Sequence, residues 1–127
     1  MNAQNSSIMF TGKPLSFDIL SRVGSGRALP AVTQAGIERV ERAHGVVKDR
    51  LAEGLSIYGA NTGVGAMKDI EWTPEALEEF NLGLVRAHHF GTGDAFPVEI
   101  VRNAIAIRIN TALTGRVGCS MALVEAF

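Results

Sequence analysis

This 127-residue sequence is short of several things, and each shortage narrows what the protein can be. It has one cysteine, Cys119. One thiol can neither close an internal disulfide nor supply a cysteine-type zinc site, and such sparing use suits a reducing compartment. Aromatic residues are few: six Phe, one Trp and one Tyr make 6% of the chain. Neither sign of charge dominates, since 12 Lys and Arg stand against 13 Asp and Glu for a net charge of −1. Without a global basic field, neither nucleic acid nor an anionic membrane surface is an expected partner. No apolar run approaches the roughly 18 residues that a membrane-spanning helix needs. The opening MNAQNSSIMF lacks the basic start and apolar core of a secretory signal. A cytoplasmic protein is expected.

What is present is aliphatic. Hydrophobic residues make up 46% and charged residues 20%, so about one small domain with a core is expected, and disorder is not. Helical spacing together with few aromatics predicts a mainly α chain with a small N-terminal β element. Residues 1–7 are polar and expected to fray. Ile8–Thr11 and Leu15–Phe17 flank Gly12-Lys13-Pro14 and read as a β-hairpin or a pair of edge strands. Alternatively, Ser16 caps a short helix over Phe17–Val23, ended by Gly24-Ser25-Gly26. Pro30 is expected to open the first long helix. There Ile37, Val40, His44, Val47 and Leu51 form an apolar stripe. Its charges, Arg39 among them, read as a solvated face, and Gly54 as its stop.

Thr73-Pro74-Glu75 is a strong helix start: a capping hydroxyl, a proline in the first turn and an acid near the helix N-terminus. That helix is expected to turn Leu77, Phe80, Leu84 and Val85 inward and to reach His88-His89. Pro97 opens another, running through Ile100, Val101, Ala104, Ile105, Ile107 and Ile109 to Leu113. So little polar face remains that a chain of this size could hardly bury it alone. Ser120 caps a last helix that reaches Phe127 without a stop signal, which suggests one piece of a larger protein.

The residues with chemical potential cluster between the helices. Ile57–Gly65, IYGANTGVG, holds the only Tyr and three glycines. A phenol ordinarily titrates near pH 10, so a base role for Tyr58 needs nearby donors. The N–H groups of Gly59, Gly63 and Gly65, with the Asn61 and Thr62 side chains, are the candidates. The bland alternative is a ring packed under the turn with its hydroxyl on a backbone carbonyl. His88 and His89 point about 100° apart on a helix and lack a ligand at i+3 or i+4, so no metal site is expected. One of them faces a pocket, or simply interacts with the helix end.

IYGANTGVG resembles the Tyr-Gly-x-Asn-Thr-Gly-Phe-Gly loop of the aromatic amino acid ammonia-lyases and aminomutases. LGLVRAHHFGTGDAFPVEIVRNAIAIRINTALTG is similar to the stretch that follows it in that family. The likeness runs from about Ile8 through the whole chain, as the N-terminal portion of a member, residues 1–127 forming an incomplete segment of the lyase-like helical fold. It implies elimination of ammonia from an aromatic or imidazole α-amino acid. Tyr58 is then the acid/base residue on a mobile lid shaped by Gly59, Gly63 and Gly65. Asn61, Ala87 and His88 are placed at the substrate, His88 selecting its side chain. The electrophile is a methylidene-imidazolone made from Ala-Ser-Gly. This chain has no such triplet, so an incomplete chain, a backbone cleaved after Phe127, or a split enzyme whose second chain carries the triad is implied, in a homo- or hetero-oligomer. An aminomutase, and a non-catalytic or regulatory subunit, are the alternatives. Departures from the family pattern are Val64 for Phe, Ala87 for the common Ser, Phe80-Asn81 for Leu-Gln, and Gly118-Cys119-Ser120 for a Gly-apolar-Arg. Val64, Phe80-Asn81 and Gly118-Cys119-Ser120 suggest an unusual substrate or a divergent, even non-lyase, member.

Overall fold

The computed structural model describes residues 6–127. The fraying expected at 1–5 lies outside them, while Ser6 and Ser7 belong to a strand. Among the described residues the elements are β1 (Ser6–Phe10), α1 (Phe17–Gly24), β2 (Ala28–Val32), α2 (Gln34–Ala52), α3 (Pro74–His88), α4 (Val98–Ala112) and α5 (Met121–Ala126). The chain is mainly helical with a small N-terminal sheet, as its composition predicts. It divides into two compact units: the chain up to Val46 together with Ala95–Phe127, and Val47–Asp94.

In the first unit the expected hairpin does not form. β1 and β2 pair in parallel, from Ser6 opposite Ala28 to Phe10 opposite Val32. Parallel strands need a crossover, and α1 supplies it. Ser16 caps α1 by accepting the Ile19 N–H at 3.3 Å, so the alternative helix over this stretch is the one that forms. Pro30 does not open α2. It sits mid-strand opposite Ile8, in a two-stranded sheet where every strand is an edge and one missing N–H is tolerated. Thr33 starts α2 instead, its Oγ1 accepting the Gly36 N–H at 3.2 Å.

The core of this unit is built from all its elements. Phe10, Val40 and Leu113 are fully buried, with Val23, Ala28, Ala106, Ile109, Ala112 and Val124 around them. Each large side chain removed from water contributes about 1.5–3 kcal/mol. Val40 confirms the direction of the α2 stripe, and His44 lies half-buried with Nδ1 3.1 Å from the Gly118 carbonyl. Arg39 departs from the expected solvated face. It is half-buried, donating from Nε to Leu113 O at 2.9 Å and from Nη2 to Thr11 O at 2.6 Å. Only one side of α4 is buried within the chain; Val98, Ile100, Val101 and Ile107 remain exposed.

The second unit holds the end of α2, the glycine loop and α3. α2 stops as Gly54 predicts: Leu55 N–H donates to Arg50 O and Gly54 N–H to Leu51 O, the paired bonds of a glycine-terminated helix. α3 starts at the predicted cap, with Thr73 Oγ1 accepting the Ala76 N–H at 3.3 Å. Its inner side is shallow. Leu77, Phe80 and Leu84 are half-buried, whereas Val85, expected inward, is 67% exposed. Trp72 stacks on Phe80 with ring centroids 5.2 Å apart. No helix among the described residues is long and apolar enough to cross a membrane.

Candidate active-site loop

The loop that carries Tyr58 is closed at its base. Thr62 and Glu71 form an antiparallel bridge. Beside it Gly63 N–H donates to Ile70 O at 3.0 Å and Trp72 N–H to Asn61 O at 3.4 Å. Ser56 Oγ donates to the Glu71 carboxylate across the same stem. Ser56 and Glu71 were not legible as partners in the sequence, because nothing local marks a pairing across an irregular loop.

Within the loop, two polar side chains hold the turn. Asn61 Oδ1 accepts the Ile57 N–H at 2.7 Å and its Nδ2 donates to Leu55 O at 3.1 Å. One hydrogen and one lone pair of that amide remain for another partner. Thr62 is buried; its Oγ1 accepts the Gly59 N–H at 3.2 Å and donates to Gly63 O at 3.0 Å. Gly59 at φ +71° and Gly65 at φ +59° adopt the left-handed backbone that glycine tolerates best. Gly63 is required for a different reason. A Cβ there would stand 2.4 Å from the Met67 carbonyl oxygen.

The turn presents Tyr58 outward, 66% exposed, with Oη accepting the Gly65 N–H at 3.3 Å. The ring is not packed under the turn, and its oxygen meets an amide and not a carbonyl. Of the three glycine N–H groups that stood near enough in sequence, those of Gly59 and Gly63 are engaged elsewhere and Gly65 alone meets the phenol.

Ala87 and His88 lie exposed in the last turn of α3. His88 Nδ1 is 2.7 Å from Leu84 O. A carbonyl only accepts, so Nδ1 carries the proton and Nε2 of the neutral ring is left as an acceptor. His89 makes the equivalent contact to Arg86 O. Among the described residues no hydrogen bond joins Tyr58 to His88, and no group of three or more His, Cys, Asp or Glu side chains is placed to hold a metal ion. The Gly24-Ser25-Gly26 triplet offers no substitute for Ala-Ser-Gly. It terminates α1, with Ser25 Oγ donating to Ser21 O at 2.6 Å.

Comparison with known proteins places this loop in a wider setting. The profile of the family described as aromatic amino acid lyase matches residues 15–127. Histidine ammonia-lyase from Chloroflexus aurantiacus is 34% identical over 121 residues, covering 93% of this chain and 23% of that enzyme. Among solved structures, the ergothioneine-degrading enzyme ergothionase from Treponema denticola superposes with a TM-score of 0.89 at 34% identity, covering 95% of this chain and 24% of that one. Tyrosine aminomutase from Streptomyces globisporus does so with a TM-score of 0.85 at 25% identity, covering 94% and 23%. The chain thus spans about a quarter of the length of these relatives. With the profile matching residues 15–127 and relatives 34% identical over more than nine-tenths of its length, the chain belongs to the aromatic amino acid lyase family.

Proposed function

We propose that this chain supplies the proton-transfer loop of an ammonia-lyase that acts on an aromatic or imidazole α-amino acid. The observation that carries the reading is the Tyr58 phenol, exposed and held by the Gly65 N–H on a loop with a pinned base. Elimination of ammonia breaks a Cβ–H and the Cα–N bond and forms a Cα=Cβ bond. In its phenolate form Tyr58 Oη takes the β-proton, the C–H electron pair becomes the double bond, the C–N pair leaves with the ammonium nitrogen as ammonia, and an α,β-unsaturated acid remains. A positioned acid/base group contributes about 10²–10⁴ in rate. His88 Nε2 and the spare hydrogen and lone pair of Asn61 serve substrate recognition, together with Ala87, the neighbour of His88 in α3. The histidine ammonia-lyases among the relatives favour an imidazole substrate.

A methylidene-imidazolone, where present, activates the amine as a leaving group. The 127 residues contain no Ala-Ser-Gly to form it, so we place it outside these residues, on a second, triad-bearing chain of a cytoplasmic oligomer. Val85, Phe90, Phe96, Val98 and Ile100, each more than half exposed, support a larger assembly. The test is to combine this chain with a triad-bearing partner, supply aromatic and imidazole amino acids, and follow ammonia and the near-UV absorbance of a conjugated acid. Product that depends on both chains supports the reading. No product from any of these amino acids overturns it, and a β-amino acid product points to an aminomutase.

A further inference from the structure

Away from the tyrosine loop, the first unit gathers three cations around one cavity of about 430 Å³, lined by Thr11, Gly12, Lys13, Arg39, Thr114 and Arg116. They come from three separate segments: the turn after β1, the middle of α2 and the turn after α4. None of the three makes an ion pair among the described residues. The carboxylates that do pair among the described residues, Asp18, Glu38, Glu53 and Asp69, pair with other cations. No acidic residue lines the cavity. In a chain of net charge −1, three unpaired positive charges have collected where they repel one another.

Arg39 and the Gly12–Lys13 backbone are held in place before any ligand arrives. Two carbonyls hold the Arg39 guanidinium through Nε and Nη2, leaving Nη1 unengaged. Gly12 has no room for a side chain, since a Cβ would stand 2.8 Å from Leu113 O. Its N–H and the neighbouring Lys13 carbonyl are both held by Asn110. Thr11 Oγ1 accepts the Lys13 N–H, so its own hydroxyl proton is available to a further acceptor. The lining therefore offers N–H and O–H donors and an excess of positive charge.

We propose that this cavity binds a doubly charged oxyanion of the phosphate class. Two guanidiniums, an ammonium and a hydroxyl lining one cavity without a carboxylate match several oxygens carrying more than one negative charge, and a single carboxylate would leave two cations unbalanced. The proposal is independent of any role for Tyr58.

The experiment is titration of the full 127-residue chain with inorganic phosphate at constant ionic strength, chloride being the replaced ion, followed by calorimetry and by phosphorus NMR. Saturable one-site binding is expected, weakened about tenfold or more in the K13Q/R116Q double variant. Lys13 and Arg116 are exposed and Arg39 is left intact, so the fold is retained, which circular dichroism checks. A phosphate monoester, ribose 5-phosphate, is titrated in parallel: tighter binding than inorganic phosphate assigns the site to an organic phosphate, equal or weaker binding to the free ion. No saturable binding, or equal binding by wild type and double variant, overturns the proposal. So does loss of self-association in the double variant without any phosphate effect, which would assign the cations to an acidic protein surface.

Discussion

Asn110 and Gly12 lie 98 positions apart, yet Asn110 Oδ1 accepts the Gly12 N–H at 2.9 Å while Asn110 Nδ2 donates to Lys13 O at 2.8 Å. One amide on α4 thus satisfies a donor and an acceptor of the turn that leaves β1. The side chain is almost wholly buried, so water cannot easily replace either bond.

Asn110→Ala is therefore expected to destabilise the chain by about 2–4 kcal/mol, since a buried donor or acceptor left unpaired costs about 1–3 kcal/mol each. Asn110→Asp keeps the acceptor but sets a carboxylate against the Lys13 carbonyl, and is expected to lose a comparable amount at neutral pH. Urea denaturation followed by circular dichroism checks both; an unchanged midpoint in Asn110→Ala would show that the clamp contributes nothing.

Tyr58→Phe tests the loop's chemistry. Its hydroxyl bonds only to Gly65 N–H at an exposed site, so stability should change by less than about 0.5 kcal/mol. Turnover of the assembled enzyme should fall by about 10²–10⁴, with the KM for the amino acid little altered. Retained kcat would remove Tyr58 from the proton-transfer role.

Gly63→Ala is expected to act on the loop with its catalytic groups intact. The added methyl meets Met67 at 2.4 Å from its carbonyl oxygen and 2.7 Å from its Cβ, so the base of the loop must shift. Limited proteolysis should cut the variant faster between residues 57 and 71, and kcat should fall even though Tyr58 is present. A cleavage pattern like that of the wild type, with full activity, would count against a tightly packed base.

Gly45→Ala makes the opposite prediction. Gly45 lies inside α2 and nothing comes within 4 Å of a Cβ built there. The chain should gain about 0.5–1 kcal/mol from removing an interior helix glycine, read as a higher midpoint in the same denaturation assay.

The helices were legible where a cap announced them. Thr73, Ser16 and Ser120 each accept an N–H three residues on, and Gly54 ends α2 as placed. The parallel strand pair was not legible. Gly12-Lys13-Pro14 looks like a hairpin turn, and only the distant Ala28–Val32 supplies the true partner of β1. Pro30 misled for the same reason, since a proline that opens a helix and a proline on an edge strand look alike locally. At the site, the residue types and their order were legible from Tyr58 to Gly65. Which amide meets the phenol was not, because Gly59, Gly63 and Gly65 are equivalent in sequence and differ only in where the turns point them. Val85 was placed inward by periodicity alone, and the shallow packing of α3 leaves it exposed.

The bond between Gly65 N–H and Tyr58 Oη lies wholly inside the segment whose two ends are joined by the Ser56–Glu71 hydrogen bond at its stem. Oxygen and donor are carried on the same short length of chain, so a rigid swing about that stem transports both and breaks neither. With Tyr58 in the proposed acid/base role, such a swing would alter where the phenol delivers or collects a proton, while the hydrogen bond it brings along stays constant. The rate of such a movement and the reactivity of the oxygen become separately adjustable: substitutions outside the segment, in α2 or α3, change the first, and those at Gly65 the second.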